Sequence, residues 1–325
     1  MNYKIADATW FSQCEFGIAA HWTAQSLPRF GEPLPFDEAV ANFDAESFVE
    51  RIANIGARYL LFTSAHALQM LPAPCNAIDE LAPGRTCRRD LLGDLMRACQ
   101  KRDLHFLLYY NHSCNHGDDP EWENAVGYHG ADKNVFADNI CRIVAELGER
   151  YGEDLKAWWF DSSYSVDPRG PVNMVSTDLK GWQFPWENLA AGAKAGAPQR
   201  LVTFNAGMTG HERSFLYSDH QDYLAGEVND LVDPPTARFG VGGLQEHRWV
   251  CLDNSGWVRT PENSRLDSPL ASPRYTVEEV ANYLRQSSAH GVPVTFNLDI
   301  AQGGEMNPDS LETVRLAALR ARSIA

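Results

Sequence analysis

Short apolar runs rich in β-branched and aromatic residues alternate along this chain with longer segments whose apolar positions recur every three to four residues, the pattern of repeated strand–helix units. The runs 16–22, 59–63, 104–111, 157–161, 201–205, 223–228, 248–252 and 293–298 read as strands. Between them, 45–56 reads as a helix with Asp44 as its N-cap, and 89–101 places Leu91, Leu92, Leu95 and Cys99 on one helical face. Further helices are predicted over 135–151, 186–194, 276–290 (with Glu278 and Glu279 in the first turn) and 310–322. Eight strands, mostly separated by helices, predict an α/β fold of the (β/α)8 TIM-barrel type rather than an open sheet. The connections after the fifth to seventh strands are the least regular. No Pro-, Gly- or Ser-rich linker and no repeat of 20–50 residues interrupts the pattern, so one catalytic barrel domain over residues 1–325 is expected.

Composition narrows the class. With 44% hydrophobic residues, 9 Trp, 11 Tyr and 15 Phe, the chain can bury a substantial core. Its net charge of −15 opposes binding to nucleic acid or to an anionic membrane, so neither is an expected partner and a neutral ligand fits better. The N-terminal MNYKIADATW has no basic stretch followed by an apolar run, and no later window is long and apolar enough to span a bilayer; a cytoplasmic protein is expected. Seven cysteines, an odd number without a CxxC pair, are expected to be reduced thiols.

In a barrel of this type the chemistry gathers where strands end, so polar residues closing apolar runs are the candidates. They are His21 in AAHW, His66 in FTSAH, Tyr110 and Asn111 in LLYYN, Asp161 in AWWFD, Asn205 in TFNAG, Glu227 in YLAGE, Asp253 in VCLDN and Asn297 in TFNLD. Carboxylates with histidines, amides and aromatics suit glycoside hydrolysis, in which one carboxylate attacks or steers and another protonates. Asp161 stands out behind two tryptophans and a phenylalanine, although an aspartate after a strand serves equally often as a helix N-cap. Glu227, in a turn-rich stretch, pairs with it as the acid; Glu246 and Asp219 are rivals, and an exposed loop carboxylate is the plainer reading of any of them. His112, His116, Asp118 and Asp119 also cluster, but in a Gly- and Asp-containing loop with no HEXXH motif, so no metal and no other cofactor is expected. GVGGLQE lacks the GK[ST] ending of a phosphate cradle.

A resemblance runs through these same residues. GIAAHWTAQSLPRFGE, FDAESFVERIANIGARYLLFT, RRDLLGDLMRACQKRDLHFLLYYN, AWWFD, and SGW followed by YTVEEVANYLRQSSAHGVPVTFNLDIAQGGEMNPDSLETVRLAAL occur in the order of the corresponding stretches of the retaining α-L-fucosidases of glycoside hydrolase family 29, which they resemble. The resemblance implies a divergent member without the family's C-terminal β-sandwich. It assigns Asp161 as nucleophile, Glu227 as acid/base with Glu246 as the alternative, and His21, Trp22, His66, Tyr110, Trp159 and Trp257 as sugar-binding residues. The family's KHHDGF is here AHALQM, which keeps His66 but puts Ala67 and Leu68 where a histidine and an aspartate would meet sugar hydroxyls.

The expectation is therefore a retaining exo-glycosidase acting on a terminal α-L-fucosyl or stereochemically related sugar by double displacement through a covalent glycosyl-enzyme. A non-catalytic carbohydrate-binding barrel is the alternative, and a metal-dependent barrel hydrolase using His112 and His116 ranks below both. The expected partner is the terminal sugar of an oligosaccharide or glycoside. A second copy of the chain is a candidate to wall the pocket, and residues 234–243 (PPTARFGVGG) are a candidate lid.

Overall fold

The computed structural model describes residues 5–113, 119–208, 215–262 and 264–323. Eight strands, β1 (Phe16–Ala20), β2 (Tyr59–Ala65), β3 (His105–Asn111), β4 (Leu155–Asp161), β5 (Leu201–Phe204), β6 (Glu227–Val228), β7 (Arg248–Cys251) and β8 (Val294–Leu298), form one curled sheet in the order β5-β4-β3-β2-β1-β8-β7-β6, with every ladder parallel. The helices are α1 (Thr9–Ser12), α2 (Phe36–Asn42), α3 (Ala45–Asn54), α4 (Asn76–Leu81), α5 (Leu91–Gln100), α6 (Pro120–Val126), α7 (Lys133–Tyr151), α8 (Trp186–Ala193), α9 (Val277–Ala289) and α10 (Pro308–Ser323). All eight predicted strands and the six predicted helices are present, and Asp44 caps α3 by accepting from the Ser47 backbone N–H.

Because side chains alternate across a strand, each strand feeds two different cores. Ile18, Leu60, Phe62, Leu108, Trp158, Phe160, Val202 and Phe296 face the surrounding helices, with Ile52, Leu95, Ile140, Leu189 and Leu284 opposite them. Ala19, Tyr59, Leu61, Leu107, Tyr109, Ala157, Trp159, Leu201 and Trp249 face inward instead, where Phe11 of α1 plugs the end of the interior at which the strands begin. Phe11 meets Tyr59 at 5.3 Å and Tyr223 at 5.2 Å, both edge-on. The interior is thus shut at its N-terminal end and available for chemistry only at the other.

The closed barrel expected from the pattern is met as far as an eight-stranded parallel α/β sheet; among the described residues no ladder joins β5 to β6. Asp222 acts across that seam with both its side chain and its backbone. Asp222 accepts from the Val202 backbone N–H at 2.9 Å, while its own N–H donates to the Val202 carbonyl at 2.8 Å. The predicted sixth strand, 223–228, is correspondingly reduced to two residues, because Gly226 at φ 67° turns the backbone before Glu227. On the far side of the seam Arg200, buried just before β5, donates to the carbonyls of Gly148, Gly152, Leu155, Ala193 and Ala195, tying β4, β5, α7 and α8 together.

The six described cysteines are unbridged, five of them buried. No described helix is long and apolar enough to cross a membrane.

Gly226 both adopts a left-handed conformation and lies so close to the next strand that an added Cβ would meet the His247 carbonyl oxygen at 1.9 Å. Gly226→Ala is expected to destabilise the fold by roughly 2–4 kcal/mol, read as a lowered urea midpoint; an unchanged midpoint would show that the β6 turn relaxes freely.

Candidate active site

Asp161 is the last residue of β4, and strand alternation puts it on the same inward face as Ala157 and Trp159. Three donors hold its carboxylate. The Tyr109 hydroxyl donates to Oδ2 at 2.5 Å, the Ser162 backbone N–H to Oδ1 at 2.7 Å, and the Asn205 side-chain amide to Oδ1 at 2.8 Å. Ser162 reaches its position by adopting φ 65°, a left-handed conformation at the point where the chain leaves the strand.

Asn205 follows β5 and is itself fixed at both ends. Its backbone N–H donates to the Phe160 carbonyl at 2.8 Å, and its Oδ1 accepts from the Gly207 N–H at 3.1 Å, which aims Nδ2 into the pocket. From there Nδ2 donates a second time, to Glu227 Oε2 at 2.8 Å. One amide nitrogen therefore bridges two carboxyl groups from opposite sides of the seam. Two bonds of 2.8 Å limit the separation of Asp161 Oδ1 and Glu227 Oε2 to no more than twice that length, against the ~5–5.5 Å characteristic of retaining glycosidases.

Burial, and then the neighbouring Asp161 charge, push the Glu227 carboxyl up to about 8, with the Asn205 hydrogen bond opposing them. Glu227 is accordingly a proton donor at neutral pH. Burial and the Asp161 charge also raise Tyr109 well above the ordinary phenol range, so it remains a donor; Tyr164, just past β4, is raised chiefly by the Asp161 charge.

Around the carboxylates stands an aromatic wall. Trp159 stacks on Tyr109 at 5.4 Å, meets Trp249 edge-on at 4.4 Å, and donates its indole N–H to the Ala225 carbonyl. Trp257, partly exposed, packs edge-on against Trp249 at 5.3 Å. His21 lies 4.6 Å from Tyr109 and 4.8 Å from His66, held neutral by burial and by the neighbouring His66. Both ring nitrogens of His21 and the indole nitrogens of Trp249 and Trp257 are buried with no partner among the described residues. Buried polar atoms normally find partners, so these four, gathered on one aromatic wall, are available to a hydroxylated ligand.

The structure therefore brings together Asp161, Glu227, His21, His66, Trp159 and Trp257. It does not bring in four other expected residues. Tyr110 occupies the opposite face of β3, edge-on to Trp158 and Phe160 in the helix-side core, and the inward position belongs to its neighbour Tyr109. Trp22 lies on the helix side too, among Phe36, Phe43 and Phe62, its N–H donated to the Gln302 carbonyl. Glu246 precedes β7, at the plugged end of the interior, and is ion-paired with Arg248; Asp219 is exposed in a loop. The candidate lid folds back beside Glu246, with Arg238 donating to Gln245 and Phe239 bridging to Gln245, so it too lies at the plugged end.

Of the histidine–aspartate cluster, His116 and Asp118 lie outside the described residues. His112 is buried against Ser113 and Ser163, and Asp119 caps α6 while holding Arg85 through two hydrogen bonds. Among the described residues no three His, Cys, Asp or Glu side chains are grouped as metal ligands. Tyr109, Asn205 and Trp249 are the site residues that the strand-end inventory either passed over or left without a role. For Tyr109 and Trp249 the usable signal was the two-residue period, which places both on the face of Trp159.

The sequence profile of the Alpha-L-fucosidase family matches residues 35–222. A Caenorhabditis elegans relative that bears an α-L-fucosidase name is 29% identical over 140 residues, a match covering 32% of this chain and 28% of that protein. The α-L-fucosidase AlfC from Lactobacillus casei, in complex with its α-L-fucose product, superposes with a TM-score of 0.65 at 16% identity over 98% of this chain and 99% of that one. The endo-fucoidan hydrolase P5AFcnA of glycoside hydrolase family 107 does so with a TM-score of 0.67 at 12% identity, over 98% and 94%. At such identities the likeness to the two hydrolases is one of fold. The profile, by contrast, spans more than half of the chain and takes in the aspartate that ends β4, and on that ground this protein belongs to the α-L-fucosidase family.

Proposed function

We propose that the protein is a retaining exo-glycosidase acting on a terminal α-L-fucosyl or stereochemically related residue, with Asp161 as nucleophile and Glu227 as acid/base. The observation that carries this reading is the Asn205 amide held between the two carboxyl groups. A bridge of that length leaves no room for the water that an inverting pair must accommodate between its carboxyls.

In the first step an Asp161 oxygen bonds to the anomeric carbon as the glycosidic C–O bond breaks, and the Glu227 proton passes to the departing oxygen. In the second, the Glu227 carboxylate takes a proton from water, whose oxygen attacks the same carbon and releases Asp161 from the ester. Glu227 suits both steps because its raised pKa keeps it protonated before the first and basic enough for the second. His21, able when neutral to donate from one nitrogen and accept at the other, meets sugar hydroxyls together with His66 and the Trp249 and Trp257 indoles, while Trp159 walls the ring. The substitutions Ala67 and Leu68 remove two polar groups at one side of this pocket. On the same reading the sheet is a closed barrel, its β5–β6 seam spanned by Asp222 and Asn205 in place of a backbone ladder.

Wild type is expected to hydrolyse 4-nitrophenyl α-L-fucoside with retention at the anomeric carbon, followed by NMR of the first-formed product; the inverted anomer would exclude double displacement. Asp161→Asn is expected to lower kcat on the order of 10³-fold or more, and azide added to Asp161→Gly should yield a glycosyl azide. Undiminished turnover by the Asn variant would remove Asp161 from the reaction.

Deprotonation of Glu227 predicts that kcat/KM falls above about pH 8, about tenfold per pH unit. The same shift has a stability consequence. A carboxyl raised in the folded state adds stability below its unfolded value, and that stability is lost as pH rises towards about 8. Glu227→Gln should therefore gain in urea midpoint over wild type between pH 5 and 8, and a pH-independent difference would contradict the raised value.

A further inference from the structure

Two asparagines flank Asp161 on the neighbouring strands. Asn205, beyond β5, spends its amide nitrogen on Asp161 and Glu227. Asn111, the last residue of β3, stands on the other flank, in the ladder register Tyr109↔Trp159, Tyr110↔Phe160, Asn111↔Asp161. Tyr109 and Trp159 face the interior whereas Tyr110 and Phe160 face the helices, so alternation turns both Asn111 and Asp161 inward. Neighbouring strands run about 4.8 Å apart, which places the two side chains next to one another on a single face.

The Asn111 side chain is oriented but unspent. Its Oδ1 accepts from the Ser113 backbone N–H at 3.3 Å, which fixes the opposite end of the group as the nitrogen. The residue is 1% exposed, and Nδ2 has no hydrogen-bond partner among the described residues. Asp161 does not draw on it, because the Tyr109 hydroxyl, the Ser162 N–H and the Asn205 amide already donate to that carboxylate. Beyond β2, the strand on the other side of β3, Ala67 and Leu68 carry no hydrogen-bonding side chain. A buried amide with both protons unmatched is costly, and an acceptor brought by a ligand would offset that cost.

The place of this amide in the sheet decides what it meets. Read across the seam and on through the sheet, the order is Glu227, Asn205, Asp161, Asn111, so the free nitrogen lies on the flank of Asp161 turned away from Glu227. It therefore faces the sugar that Asp161 attacks, not the group that Glu227 protonates. The acceptor nearest the anomeric carbon on that sugar is the hydroxyl of the adjoining ring carbon, and a hydrogen bond to it strengthens as charge develops in the transition state. We propose that Asn111 Nδ2 donates to this 2-hydroxyl, and that Asn111 thereby selects sugars carrying one. The proposal rests on the glycosidase reading above.

The test compares 4-nitrophenyl α-L-fucoside with its 2-deoxy analogue, for wild type, Asn111→Ala and Asn111→Leu, the last keeping the bulk of the side chain. On the fucoside both variants are expected to lose roughly 10- to 100-fold in kcat/KM, and on the 2-deoxy analogue no more than about threefold. Equal losses on the two substrates would mark Asn111 as merely structural and overturn the proposal, as would no loss on either. If wild type leaves the 2-deoxy analogue uncleaved, the comparison moves to binding, with L-fucose and 2-deoxy-L-fucose titrated against tryptophan fluorescence. If it cleaves neither compound, the catalytic reading fails separately and the same titrations still decide. A wild-type preference for L-fucose that disappears in both variants sustains the proposal; no preference, or one that survives the substitutions, ends it.

Discussion

The site depends on a single amide nitrogen. Asn205 Nδ2 has two protons and two acceptors, and the acceptors are carboxyl oxygens from strands on either side of the seam. Two carboxylates cannot approach closely in a buried pocket without one of them holding a proton. The amide offsets part of that repulsion, while burial first and the Asp161 charge second raise the pKa of Glu227. The contact thus sets the spacing of the pair while burial and the Asp161 charge set its protonation, and the Gly207 N–H that pins the amide oxygen keeps the nitrogen from flipping away.

The inward aromatic layer supplies the medium in which that contact operates. Tyr109, Trp159 and Trp249 pack on one another beneath the carboxylates, while Phe11 closes the other end. Water is thereby kept from all but one side of the acid pair, which strengthens the electrostatics within it. The same layer leaves His21 and two indole nitrogens without a partner among the described residues, a cost that a hydroxylated ligand would offset.

Most of the fold could be read from the chain, because each strand is an apolar run with a helix of different period behind it. The order of the elements and the place of Asp161 at a strand end followed from that alternation. Reading failed where one residue of register decided the outcome: in LLYYN both tyrosines are equally aromatic, and only continuing the period from Leu107 selects Tyr109 over Tyr110. Trp22 failed for a related reason, since the chain has already left β1 at Ala20 and its side chain turns to the helices. Glu246 was misjudged because sequence proximity to the SGW segment hides which end of β7 it occupies. The Asn205 bridge was out of reach, since it pairs groups 22 and 44 residues away across an edge that no periodicity describes.

The interrupted β5–β6 edge has a mechanical consequence. A hoop cut at one place is most compliant at the cut, and this one is cut between the strand leading to Asn205 and the strand carrying Glu227. Thermal widening there would draw Glu227 away from Asp161 while seven backbone ladders elsewhere stay intact. On warming, such a molecule should part its two buried carboxyl groups before it melts, because isolated contacts rather than a ladder close that edge.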